Sequence, residues 1–180
     1  IHQAFNDYYG TWRAFEEAYK NGKVRAIGVS NFYPDRFMDL AVFSEIKPMV
    51  NQLETHIFRQ RKNDKKFIEK YGAKLEAWAP FARGSHGIFE NEILSKIAKN
   101  HRKTIGQVAL RFLTQNGIVA IPKSAHKSRM EENFNIFDFT LSNEEMKQIE
   151  DLDLGKNVFM DHENAEDIER FFNVFGVGQK

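Results

Sequence analysis

The chain has 180 residues with 42% hydrophobic content, enough for one domain with a buried core. Its 26 basic and 25 acidic side chains leave a formal charge of +1, which gives no basis for a nucleic-acid or anionic-membrane partner. It has no cysteine, so disulfides and thiolate metal sites are excluded, and no apolar run approaches the roughly 20 residues of a spanning helix. No leader is visible, although the chain opens on Ile1-His2 rather than Met. A reducing, cytoplasmic setting is the expectation.

Helical and extended patterns alternate. Trp12, Phe15, Ala18 and Tyr19 recur at helical spacing over residues 11–21, with Gly22 as the stop. Residues 24–29 read as a short buried strand. Tyr33-Pro34 starts a helix whose inner face is Phe37, Leu40 and Ala41. Residues 49–53 form the next strand, and Asn63 is placed to cap a helix over 64–71. A strand over 75–79 ends at Pro80. Helices follow over 90–100 and 104–115, then a last strand over 118–121. Ser128 and Ser142 each lie three residues before a glutamate, as in capping boxes. From Gly155 the tail reads as a Phe-rich loop, with a helical pattern over 164–173. Residues 1–180 read as a single domain.

With a stub at Ile1-His2, this is about five strands alternating with helices, so a parallel sheet. A doubly wound sheet and a barrel both accommodate that. No Gly-x-Gly-x-x-Gly follows a strand, which favours the barrel. In a barrel, functional residues collect where strands end. Those ends carry Ser30-Asn31, Trp78-Ala79-Pro80-Phe81 and Pro122-Lys123-Ser124, and Asn51-Gln52 lies within the third strand. Amides suit a carboxamide ligand, an aromatic face offers a stacking partner, and Lys123, Ser124 and Arg129 near a helix start make an anion site.

The run Gly22-Lys23-Val24-Arg25-Ala26-Ile27-Gly28-Val29-Ser30-Asn31-Phe32 resembles a signature of the aldo-keto reductases. A second signature is similar to Ile121-Pro122-Lys123-Ser124 with Arg129 and Glu132-Asn133, and Asn51-Gln52-Leu53-Glu54 and Ala77-Trp78-Ala79-Pro80-Phe81 sit between them in family order. The resemblance runs from residue 1 to about residue 153. Asp7-Tyr8-Tyr9-Gly10-Thr11-Trp12 is similar to the 2,5-diketo-D-gluconate reductase branch.

The resemblance implies an (β/α)8 TIM barrel, of which this chain would supply about strands four to eight, and an NADPH cofactor lying across the rim. Ser30, Asn31 and Gln52 would hold the nicotinamide carboxamide, and Trp78 would stack on the ring. Ala79, Phe81, Arg83 and Gly84 would line the pyrophosphate. Lys123, Ser124, His126 and Arg129 would receive the 2′-phosphate, and Glu132 and Asn133 would contact adenine. The substrate implied is a small carbonyl compound. His2 resembles the family's catalytic histidine, with Ala4 where the family commonly has Pro.

The family's catalytic Tyr, Asp and Lys come from barrel strands one to three. None of Tyr8, Tyr9, Tyr19, Tyr33 and Tyr71 matches such a position. The chain is therefore expected to be inactive alone and unstable as a monomer, needing an N-terminal barrel segment or another chain to close the barrel. Two alternatives stand: a non-catalytic NADPH-binding or interaction protein, and a phosphate-binding barrel enzyme of sugar metabolism. His56, His86, His101 and His162 show no metal-ligand spacing, and the acidic residues Asp161, Glu163, Glu166 and Asp167 read as a solvated loop.

Overall fold

The computed structural model of the chain describes residues 1–176. The tail expected over 155–180 thus has its last four residues outside the described part. Four strands, β1 (Gly28–Ser30), β2 (Val50–Glu54), β3 (Lys74–Trp78) and β4 (Val119–Ala120), form one parallel sheet in chain order. The predicted stub is present without being a full strand. The nitrogen of Ile1 donates to Gly28 O at 2.8 Å and Ser30 N donates to Ile1 O at 2.7 Å, the alternation of a parallel ladder.

The helices among the described residues are α1 (Tyr8–Lys20), α2 (Pro34–Phe43), α3 (Lys62–Lys70), α4 (Glu92–His101), α5 (Ile105–Gln115), α6 (Lys127–Phe134), α7 (Asn143–Glu150) and α8 (Ala165–Phe175). None is long and apolar enough to cross a membrane. The predicted inner face of α2 is right: Phe37, Leu40 and Ala41 are all buried. So is the capping box at Ser142, where Ser142 Oγ accepts from Glu145 N and the Glu145 carboxylate accepts from Ser142 N.

Two expected caps are wrong. Asn63 lies inside α3, whose cap position is Arg61 in a left-handed conformation at φ 54°. Ser128 lies inside α6, which is capped by His126 with no side-chain bond. In each case the helix starts earlier than the cap residue suggests. Tertiary contacts of Arg61 decide the first start, and the first amides of α6 are left as free donors. The strand expected over 24–29 is shorter and shifted. Val24 is 41% exposed and finds no ladder partner. The tail is helical over α8, capped by Asn164 Oδ1 on Glu166 N and Asp167 N, so it is only partly a loop.

One face of the sheet carries Val29, Leu53, Leu75 and Ala77, all buried together with Leu94 and Ile97 of α4 and Val108 and Phe112 of α5. The other face is polar. Ser30, Gln52, Glu76 and Val119 stand in one register row across all four strands, so their side chains share that face. Gly28 allows the strands to close up there: a Cβ on it would lie 2.7 Å from Val50 O.

Candidate functional site

The polar row and the strand ends above it form one rim. Ser30 Oγ donates to Gln52 O at 2.9 Å, and Gln52 Nε2 donates to Glu76 Oε1. His2 lines the same cavity of about 340 Å3 with Ser30, Gln52 and Glu76. The structure thus brings the expected histidine to two of the expected amide-site residues. The His2 side chain is exposed, and its carbonyl accepts from Asn31 Nδ2 at 3.1 Å.

Asn31 holds a left-handed φ of 60°, a conformation asparagine tolerates. Its amide is fully engaged within the chain. Nδ2 donates to His2 O and Ser30 Oγ, and Oδ1 accepts from Trp78 Nε1 at 3.0 Å. Binding a carboxamide here would exchange internal hydrogen bonds for ligand ones. Trp78, at the end of β3, is half-buried. The loop after it is unusual. Ala79, Ala82 and Arg83 have φ of 51°, 47° and 52°, followed by Gly84 at 77°. Left-handed non-glycine residues cost free energy and concentrate at functional loops.

Residues expected to form an anion site also lie together. A cavity of about 500 Å3 is lined by Lys123, Ser124, Arg129, Glu132, Asn133 and Phe81. The free first-turn amides of α6 add donors beside it. Ser124 Oγ accepts from His126 N at 3.1 Å, tying the strand-end loop to the helix start. Among the described residues neither Lys123 nor Arg129 pairs with a carboxylate.

Ala79, Arg83, Gly84 and His126 do not line this cavity. Arg83 instead lies over aromatic rings, 4.5 Å from the Phe159 centroid and 5.7 Å from that of Trp78. The cavity also takes Phe89, Thr104, Ile105 and Gly106, which sequence reasoning did not select. The Thr104-x-x-Gln107 capping box at the start of α5 was a legible signal. Thr104 Oγ1 donates to Glu132 Oε1 at 2.6 Å, so α5 sets the position of that glutamate.

Sequence reading also missed a buried polar network behind the rim. Arg61 is 3% exposed and donates to Glu54 O, Asp64 Oδ2, Tyr33 Oη and Asn157 Oδ1. Asn157 Nδ2 donates to Tyr33 Oη at 2.6 Å. Asp64 lies three residues on, but Tyr33 and Asn157 are 28 and 96 positions away from Arg61, and those two contacts leave no local spacing signal. The tail continues to His162, whose Nε2 meets Gln3 Oε1 at 2.7 Å. Burial, with the Arg61 guanidinium nearby, pushes the His162 imidazole down to about 4.

The sequence profile of the aldo/keto reductase family matches residues 1–154. The chain belongs to that family. It is similar to the glyoxal reductase of Bacillus subtilis, 45% identical over 159 residues that make up 88% of this chain and 57% of that protein. It therefore spans little more than half the length of that relative. Among solved structures it resembles an aldo-keto reductase from a Medee basin deep-sea metagenome library. That comparison has a TM-score of 0.85 and 44% identity, over 92% of this chain and 62% of that one. It also resembles a Bombyx mori aldo-keto reductase solved in complex with NADP, with a TM-score of 0.81 and 32% identity. The match covers 90% of this chain and 55% of that one.

Proposed function

We propose that this aldo-keto reductase chain supplies the NADPH-binding part of a carbonyl-reducing (β/α)8 barrel. The Ile1 stub and β1–β4 stand for barrel strands four to eight. The half-open polar face would be the barrel interior. A further barrel segment or another chain would pair with the edges at Ile1 and β4 and cover that face. Residues 1–180 form one domain on this reading, because Asn157 and Val158 tie the tail to Arg61 and Glu54.

The observation that carries the cofactor assignment is the cavity with two cations lacking carboxylate partners among the described residues. Lys123 and Arg129 would take the 2′-phosphate through charge-assisted bonds, with Ser124 and the free amides of α6. His126 caps that helix. Glu132 and Asn133 would meet the adenine edge beside Phe81. Arg83, Ala79 and Gly84 would follow the pyrophosphate in the loop after β3. Ser30, Asn31 and Gln52 would hold the carboxamide, and Trp78 would present a flat face to the ring. The bound cofactor would supply hydride to an aldehyde or ketone carbon. His2 would donate a hydrogen bond to the carbonyl oxygen and orient it.

General acid assistance is worth about 10²–10⁴-fold. Among the described residues the His2 cavity contains no tyrosine or lysine. The proton donor would therefore come from the segment completing the barrel, and this chain by itself would not turn over.

Titrating NADPH and NADH against indole fluorescence tests the reading. NADPH is expected to quench and to bind more tightly than NADH. Equal affinities, or no quenching, refute the assignment. Turnover of a small aldehyde by the chain alone would refute the need for a completing segment.

A further inference from the structure

Glu54 ends β2 in register with Trp78 at the end of β3. The two side chains leave the same face at the same height. Glu54 is 1% exposed. A carboxylate buried to that degree is costly unless donors surround it. Its side-chain donors are His56 Nε2 at 3.2 Å, Val158 N at 2.6 Å and Phe159 N at 3.4 Å. Two consecutive amides from more than a hundred residues away thus converge on one carboxylate. An acid at this position is not needed to fold β2, whose ladder uses only backbone groups.

The amide grip has a geometric consequence. Phe159 is held with its ring 5.7 Å from that of Trp78, tilted by 35°. It meets His56 edge-on, 6.2 Å away at 82°. Arg83, from the loop after β3, lies over Phe159 at 4.5 Å and over Trp78 at 5.7 Å. Trp78 Nε1 is fixed by Asn31 Oδ1. Trp78 is therefore held at its edge by Asn31 and against its ring by Phe159, with Arg83 spanning both rings. Remove the grip on residues 158–159 and the ring contact and the cation's second platform go together.

We propose that Glu54 is a positioning residue for Trp78. By holding the Val158 and Phe159 amides it seats Phe159 against the indole and gives Arg83 its ring. The tail and the loop after β3 then close as one unit, and the indole plane is set before any cofactor arrives. The role in cofactor binding rests on the NADPH reading above; the packing of Trp78 does not.

The test uses Glu54→Gln, Glu54→Asp and Phe159→Ala in the intact protein. Trp12 is 1% exposed, so acrylamide quenching of indole emission reports on Trp78. Both Glu54→Gln and Phe159→Ala are expected to raise that quenching, and Glu54→Asp, which keeps the charge, to restore part of it. Amide exchange at Val158 and Phe159 should rise on the order of tenfold in Glu54→Gln, for loss of one charge-assisted bond, with Leu53 and Leu75 unchanged. Unchanged quenching in either variant overturns the proposal. If Glu54→Gln fails to fold, Glu54→Asp decides: its shorter side chain should loosen the two amides and raise both their exchange and the quenching above native, and native values for either overturn the proposal. None of these readouts needs cofactor. A weaker NADPH affinity in Glu54→Gln supports the cofactor role. Failure of the unaltered protein to bind NADPH removes that role, and quenching alone then decides the packing.

Discussion

Replacing Arg61 by methionine tests whether the buried network, rather than helix propensity, holds the rim to the tail. Methionine keeps most of the aliphatic stem and deletes the guanidinium. Four acceptors lose a donor: Glu54 O at 3.1 Å, Asp64 Oδ2 at 2.8 Å, Tyr33 Oη at 3.2 Å and Asn157 Oδ1 at 2.7 Å. Bonds to a charged group are worth about 1.5–3 kcal/mol each, but they share one donor group and do not add. Removing one partner of a buried pair typically costs about 3–5 kcal/mol. Two features pull this case toward the lower figure. The Asp64 side chain keeps 17% exposure, and Asn157 and Tyr33 retain their own bond at 2.6 Å. We expect a loss of about 3 kcal/mol in urea unfolding, a large share of the ~5–15 kcal/mol that holds a domain together. Arg61→Gly would relieve the left-handed φ of 54°, worth about 1–2 kcal/mol, yet should still be less stable than the native protein. A loss below about 1 kcal/mol in Arg61→Met, or a native-like Arg61→Gly, refutes the reasoning.

Arg129→Ala should weaken NADPH binding by about 1.5–3 kcal/mol and leave NADH nearly unchanged, since only the former carries the extra phosphate. Isothermal titration with both cofactors checks this, and an equal loss for both would assign Arg129 elsewhere. For His162 the folded pKa is lowered to about 4, against about 6.5 in the unfolded chain. The unfolded state therefore takes up the proton first. Stability should fall as pH drops from about 6.5 and level off near 4. His162→Gln should flatten that part of the urea-midpoint profile, and an unaltered slope would remove His162 from the account. Gly28→Ala places a Cβ 2.7 Å from Val50 O, where neighbouring backbone has little room to move. A loss of about 1–3 kcal/mol is expected, read by thermal melting; a neutral result would show that β1 and β2 can separate at that point.

The candidate site was legible wherever one strand end carried its own chemistry. Ser30, Gln52, Lys123, Ser124 and Arg129 are legible from their own chemistry, Glu132 and Asn133 only through the family resemblance, and the structure brings all seven onto two cavities. Asn31, Trp78, Ala79, Arg83, Gly84 and His126 line neither of them. Neighbours in sequence share a loop without sharing a direction. Phe89, Ile105 and Gly106 carry no local signal because they reach the cavity of Lys123 and Arg129 from two other elements, the turn at Ile88–Glu90 and the start of α5.

The order of elements, the parallel sheet and the inner face of α2 follow from the sequence alone. They depend on periodicity and turn chemistry, which act over a few residues. Where α3 and α6 begin, how short β1 is, and the docking of the tail were settled only in three dimensions. Arg61 takes a left-handed backbone because Tyr33, Asp64 and Asn157 surround its guanidinium. Glu54 reads as one more residue of a strand motif until Val158 arrives from 104 positions away. Local pattern decides which face of an element is apolar. The buried Arg61 and Glu54 have a near partner each in Asp64 and His56, but they complete their sets only when distant segments meet, so their purpose is visible only in the folded molecule.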